Sequence, residues 1–237
     1  NTTVSAGFLE PVKSSTSTSV GTMAYYSFTP ATRRIATPPS SIAPGIFANF
    51  KNYLFTCDVG GTSNSTLWWC ASLDATSWPA TNFIKVSATG GDSIRALIVH
   101  NDVLYIFKDH SIWYLVGQVF DPANPTYQLV KVVNPQNIGT FSGESVRVLN
   151  DRIIFLGQDG IYALDGLNRI QNISEGKIRT TIRSLLNAGI PATNNGAGLG
   201  NGAEAAAVVY DNRYFLSVQT ANAGTVMNDK TICLEPN

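Results

Sequence analysis

Apolar and polar positions along this chain fall into one pattern that returns four times: an apolar stretch, an Asn/Asp corner, then a dense apolar or aromatic run. The copies are Phe47-Ala-Asn-Phe-Lys-Asn-Tyr-Leu-Phe-Thr-Cys57, Leu97-Ile-Val-His-Asn-Asp-Val-Leu-Tyr-Ile-Phe107, Val146-Arg-Val-Leu-Asn-Asp-Arg-Ile-Ile-Phe-Leu156 and Ala207-Val-Val-Tyr-Asp-Asn-Arg-Tyr-Phe-Leu-Ser217. Their corner residues, Asn52, Asp102, Asp151 and Asn212, are spaced by 50, 49 and 61 residues. The long interval holds a Gly/Asn-rich tract, about 191–202, whose removal brings the period back towards fifty.

Each corner strand is followed by another, at Leu67–Cys70, Ser111–Gly117, Gly160–Gly166 and Thr231–Leu234. In the middle copies only Lys108-Asp-His110 and Gly157-Gln-Asp159 separate the arms, which is hairpin spacing. Weaker strands follow at Asn82–Ser87, Tyr127–Val133 and Asn168–Ile173. With the strand before each corner, the pattern predicts about four strands per fifty residues, the size of a β-propeller blade. The expected architecture is all-β and propeller-like, with four blade-like repeats over 46–237; four copies could close into the smallest known propeller, but consecutive blades of a larger one are the preferred reading. A β-sandwich with coincidental spacing is the competing architecture.

Two segments depart from the pattern. Residues 1–45, rich in Ser, Thr and Pro, read as an extended entry arm or linker with a strand at Met23–Phe28. Ser174–Asn187 places Ile178, Ile182, Leu185 and Leu186 on one face, which predicts a short inserted helix over about 174–187, capped by Ser174. Its other face carries Lys177, Arg179 and Arg183, either a solvated surface or a contact for an acidic partner or phosphate backbone.

Composition narrows the function classes. Charged residues are only 14% of the 237 and balance at 16 of each sign, so there is no overall field to attract nucleic acid or anionic lipid. Forty-two Ser plus Thr, 20 Asn and 20 Gly suit strands joined by tight turns. No apolar run approaches the length of a membrane span, and the start reads as that of a processed or partial piece. Cys57, Cys70 and Cys233 are too few for a disulfide framework. Cys57 and Cys70 sit on opposite hairpin arms where a bridge is conceivable, although buried free thiols are the ordinary outcome.

Candidate chemistry is sparse. His100 and His110 have no partner at recognisable spacing and read as solvent-facing turn residues. The acid pairs Asp58/Asp74 and Asp159/Asp165 lack the alternating ligands of a calcium loop, and Gly90-Gly91 and the Gly196–Gly202 tract read as turns. Ser72-Leu-Asp-Ala-Thr-Ser-Trp78 resembles the aspartate box of sialidase propellers, with Thr76 in place of its glycine. No catalytic constellation, metal site or cofactor site emerges, and the chain is expected not to be an enzyme. Trp68, Trp69, Trp78, Trp113 and Tyr114 could stack on sugars, but neighbours in a strand point to opposite faces, where packing between blades is the usual role.

The run Gly91–Gly117, with a strand ending in Phe107-Lys108, a short turn, Ser111-Ile112 and an aromatic, resembles virion proteins of tailed bacteriophages. Ile154–Gly166 followed by Ile173–Ile178, and Leu73–Trp78 upstream, resemble the same proteins. This family comprises propeller-bearing tail-nozzle and head-to-tail stabilisation proteins of short-tailed phages. The resemblance implies a virion structural protein of the tail or neck, in a ring of copies, commonly six, around a DNA passage. Neighbouring tail or neck proteins and non-specific contact with DNA in transit are the implied partners. The alternative is a secreted or surface propeller that binds glycans through Trp68, Trp78 or Trp113, or a glycosidase.

Overall fold

The computed structural model describes residues 44–58, 64–87, 92–118, 120, 126–133, 137–176, 180, 182, 205–218 and 230–235. Their strands form four antiparallel sheets, each a meander in chain order. The first sheet contains β1 (Pro44–Phe50), β2 (Tyr53–Asp58), β3 (Thr66–Trp69) and β4 (Phe83–Lys85). The second contains β5 (Ile94–His100), β6 (Val103–Lys108), β7 (Ile112–Val116) and β8 (Gln128–Lys131). The third contains β9 (Arg147–Leu149), β10 (Arg152–Leu156), β11 (Ile161–Asp165) and β12 (Arg169–Asn172). The fourth contains β13 (Ala206–Tyr210), β14 (Arg213–Val218) and β15 (Lys230–Leu234).

Each meander begins with a two-residue hairpin whose central residues both have positive φ: Lys51/Asn52, Asn101/Asp102, Asn150/Asp151 and Asp211/Asn212. Right-handed strand twist favours this turn, and Asn and Asp tolerate its left-handed backbone better than other residues with a β-carbon. All four corner residues thus occupy the second turn position.

Alternation explains why the middle strands are apolar throughout. Leu104 and Ile106 of β6 face the first sheet with Leu115, against Phe55, Leu67 and Trp69. Tyr105 and Phe107 of the same strand face the third sheet, against Ile153, Phe155 and Tyr162. Ile154 and Leu156 of β10 turn the other way, onto Tyr214, Leu216 and Val218 of the fourth sheet. Three cores therefore join four consecutive sheets, and the fold is all-β and propeller-like. Each large apolar side chain taken out of water contributes roughly 1.5–3 kcal/mol to that stacking.

Of the inserted helix expected over 174–187, Thr180 and Ile182 are described; both are helical, and Ile182 is buried in the last core. Lys177, Arg179, Arg183 and the 191–202 tract lie outside the described residues, as does Met23–Phe28. Ser174, read as the helix cap, is buried, and its hydroxyl serves the third sheet. It accepts from the Ile161 N–H at 3.1 Å and donates to Asn172 at 2.8 Å.

Candidate functional site

The first strands of the sheets meet one another: β1 lies against β5, β5 against the 3-10 turn Gly143–Ser145, and β9 against β13. Between β1, β5 and β9 runs a cleft of about 310 Å³. At its mouth is a second space of about 210 Å³, edged by Asp58, Asn64, Ser93 and Phe141. Both are lined by Ile46, Arg95, Gly143 and Glu144, so they form one groove along the inner strands.

Register places the charged pair in this groove. A shift interrupts the pairing of β1 with β2 between Pro44 and Ile46, and that of β5 with β6 between Ile94 and Ala96. The extra residues, Gly45 and Arg95, each stand seven positions before a corner, and in the third repeat Glu144 holds that position in the 3-10 turn. A bulge turns its extra residue out of the alternation, here into the groove. Gly143 makes the close approach: a β-carbon there would lie 1.9 Å from the Arg95 carbonyl oxygen.

Arg95, Glu144 and Lys108 each have a counter-charge near the mouth. Arg95 Nε donates to Asp109 Oδ1 at 2.5 Å, and the buried Asp109 also accepts from the Ser93 N–H at 2.9 Å. Arg147 Nη2 donates to Glu144 at 3.1 Å. The fully buried Lys108 ammonium donates to Ser65 Oγ at 2.6 Å and lies 3.7 Å from Asp92. Burial lowers the Lys108 pKa against the opposing pull of Asp92. Asp92 in turn accepts from the His110 N–H at 2.8 Å and from Ser111 Oγ.

The residues of interest from the sequence are dispersed by the fold. Asp102 accepts from Lys51 of the preceding repeat, and Asp151 accepts from Asn101 at 2.7 Å. His100, expected to face solvent without a carboxylate, sits 3.1 Å from Asp151 with its side chain only 14% exposed; a neighbouring repeat supplies the acid that sequence spacing hid. His110 is exposed, contacts Gln158 at 2.6 Å and meets the Phe141 ring edge-on. Trp68 packs against Phe83 with the rings tilted, Trp69 enters the first core, and Trp113 packs beside it. Trp78 bonds back to its own turn through Ala75, and Asp74 there binds Thr76. None of these indoles lines the groove.

Cys57 and Cys70 are free and buried. Cys57 pairs with Leu67, whereas Cys70 Sγ accepts from the Leu54 N–H, so three residue steps, roughly 10 Å, separate them along the hairpin. Burial, reinforced by Asp58, pushes the Cys57 thiol up to about 12. Among the described residues no three His, Cys, Asp or Glu side chains are grouped to hold a metal, and no helix is long and apolar enough to cross a membrane. Sequence reasoning missed Arg95 and Glu144; aligning the repeats seven residues upstream of the corners would have paired them.

The folded chain is defined by these observations as an all-β repeat protein with propeller-like sheets and a groove between the first strands of its first three sheets. No protein-family model and no curated protein matches it. Among solved structures it is similar to an exo-1,5-alpha-L-arabinanase from a bovine ruminal metagenomic library, with a TM-score of 0.40 and 15% identity. The match covers 78% of this chain and 66% of the arabinanase, just under two thirds. The expectation that the chain is not an enzyme finds no support in this comparison, in which the similar structure is that of an enzyme.

Proposed function

We propose that the chain is a structural component of a tailed-phage virion, positioned in the tail or neck as part of a ring around the DNA passage. The observation that carries this reading is the use of the phage-like residues. Phe107 fills the second core, and the neighbouring Lys108 reaches from the second sheet to Ser65 of the first. Ser111 holds Asp92 beside that ammonium. The motif therefore fastens sheet to sheet, as a load-transmitting ring component requires. Its partners are copies of itself, six in the ring that the resemblance implies, and adjacent tail or neck proteins. Charge neutrality suits DNA that must slide past, since each phosphate contact adds salt-sensitive affinity.

The test is gold-labelled antibody against the chain, applied to purified particles and viewed by electron microscopy. Labelling at the tail or neck supports the reading; particles whose mass spectra lack the chain overturn it.

A second reading, a glycan-binding or glycan-cleaving propeller, is favoured by the groove. Asp58 and Glu144 both edge its mouth, and glycoside hydrolysis employs two carboxyl groups flanking one bond. Binding or turnover of oligosaccharides by the purified chain supports this reading.

A further inference from the structure

We infer that the mouth of the groove between the first strands is a binding site for a neutral saccharide, held by Arg95 and Glu144 and bordered by Phe141. This inference rests on the second reading and names the ligand class and the residues.

The argument begins with position. Arg95 and Glu144 come from different sheets, yet both occupy the place seven residues before a corner, and both line the cleft and its mouth. The bulge that carries Arg95 interrupts a ladder that is otherwise regular to His100. Such an interruption forgoes a pairing and re-aims one side chain, a device concentrated near functional sites. The approach of Gly143 to the Arg95 carbonyl brings the two charged residues to one opening.

Charge selects the ligand class. Arg95 is paired with Asp109, Glu144 with Arg147, and Lys108 with Asp92, while Asp58 adds a further carboxylate at the mouth, so no cation is left in excess. Ion pairs of this kind present fixed donors and acceptors with little net field, so a phosphate or carboxylate gains no strong electrostatic attraction. A polyhydroxylated neutral molecule gains on both sides. Its hydroxyls donate to Glu144 and accept from the outer guanidinium nitrogens of Arg95, and charge-assisted hydrogen bonds are the stronger kind. Asn64 and Ser93, joined at 2.7 Å, add amide and hydroxyl partners on the same rim.

Apolar surface completes the match. Phe141 is half-buried at the mouth, and Ile46 and Val146 line the deeper cleft. Ligand pockets combine such apolar lining with a few convergent polar groups; the mouth measures about 210 Å³ and continues into the cleft of about 310 Å³, and only the two together reach the usual pocket size, suited to a short saccharide.

The full chain is titrated calorimetrically with four neutral probes, cellotetraose, xylotetraose, maltotetraose and arabinotetraose, and with tetragalacturonate and inorganic phosphate. The expected result is binding of at least one neutral probe, weakened at least tenfold in Glu144→Gln. Glu144 is 79% exposed at its side chain, so this isosteric change should leave the melting temperature near wild type. Arg95→Gln, also expected to weaken binding at least tenfold, provides the second variant. Binding of only tetragalacturonate or phosphate overturns the inference, as does neutral binding that both variants retain. Neutral binding that survives in both but disappears in Trp68→Ala or Trp78→Ala overturns this site and leaves the glycan reading standing. No binding of any probe overturns both.

Discussion

Gly139→Ala isolates the contact by which the third repeat is seated on the second. A β-carbon at Gly139 would lie 2.1 Å from the Lys108 carbonyl oxygen and 2.6 Å from the Asp109 carbonyl carbon, both backbone atoms that cannot swing aside. The same carbonyl accepts from the Thr140 N–H at 2.9 Å, in a place where Lys108 and Thr140 are fully buried. Forcing these two backbone segments apart costs about 1–3 kcal/mol for the overpacking and about 1 kcal/mol for the weakened buried hydrogen bond. The expected loss is therefore about 2–4 kcal/mol, which in a chain of this size lowers the melting temperature by roughly 5–15 °C. Gly166→Ala is the control: its φ is +60°, with nothing within 4 Å, so only the left-handed backbone penalty of about 1–2 kcal/mol applies. Circular dichroism melts of both variants check the reasoning. A Gly139→Ala loss no greater than that of Gly166→Ala refutes it.

The remaining predictions concern single side chains. Because burial lowers the folded-state pKa of Lys108 below its ordinary 10.5, the folded chain holds fewer protons than the unfolded chain between those two values. Stability from this group therefore rises with pH across that interval, and the wild-type advantage over Lys108→Met should grow as melts are taken from pH 7 towards 10.5; a pH-independent difference contradicts it. Thiol titration at pH 8 should label the exposed Cys233 quickly and leave Cys57 and Cys70 unreacted until denaturant is added; three fast thiols in the native chain count against the packing. Asn212→Gly should raise stability by about 0.5–1 kcal/mol by relieving its φ of +57°, and Asn212→Val should lower it by about 1–2 kcal/mol, both read from denaturant midpoints.

The repeat was legible because two-residue turns leave a local signature. Asn101-Asp102 and Asn150-Asp151 announce left-handed residues, and the strands around them alternate or run apolar according to whether one face or both are covered. What joins the repeats was hidden. Lys108 looks like a solvent-facing cation after an apolar strand, and only the approach of the Ser65 turn from another sheet buries it. The partnership of His100 with Asp151 depends on the angle between stacked sheets, and no spacing rule encodes that angle. The groove was illegible for the same reason. Arg95 and Glu144 are 49 residues apart and carry no motif, and their convergence is a property of the stack.

The corner bonds all run one way along the polypeptide. The donor comes from the earlier copy, as Lys51, His100 or Asn101, and the acceptor, Asp102 or Asp151, from the later one. The modules are therefore addressed in sequence, like tenons cut for particular mortises. Exchanging the second and third would set Lys51 against Asp151 but leave His100 and Asn101 facing Asn212, which has no carboxylate to receive them. The repeats are alike in pattern, yet the charges at their turns distinguish one order of stacking from another.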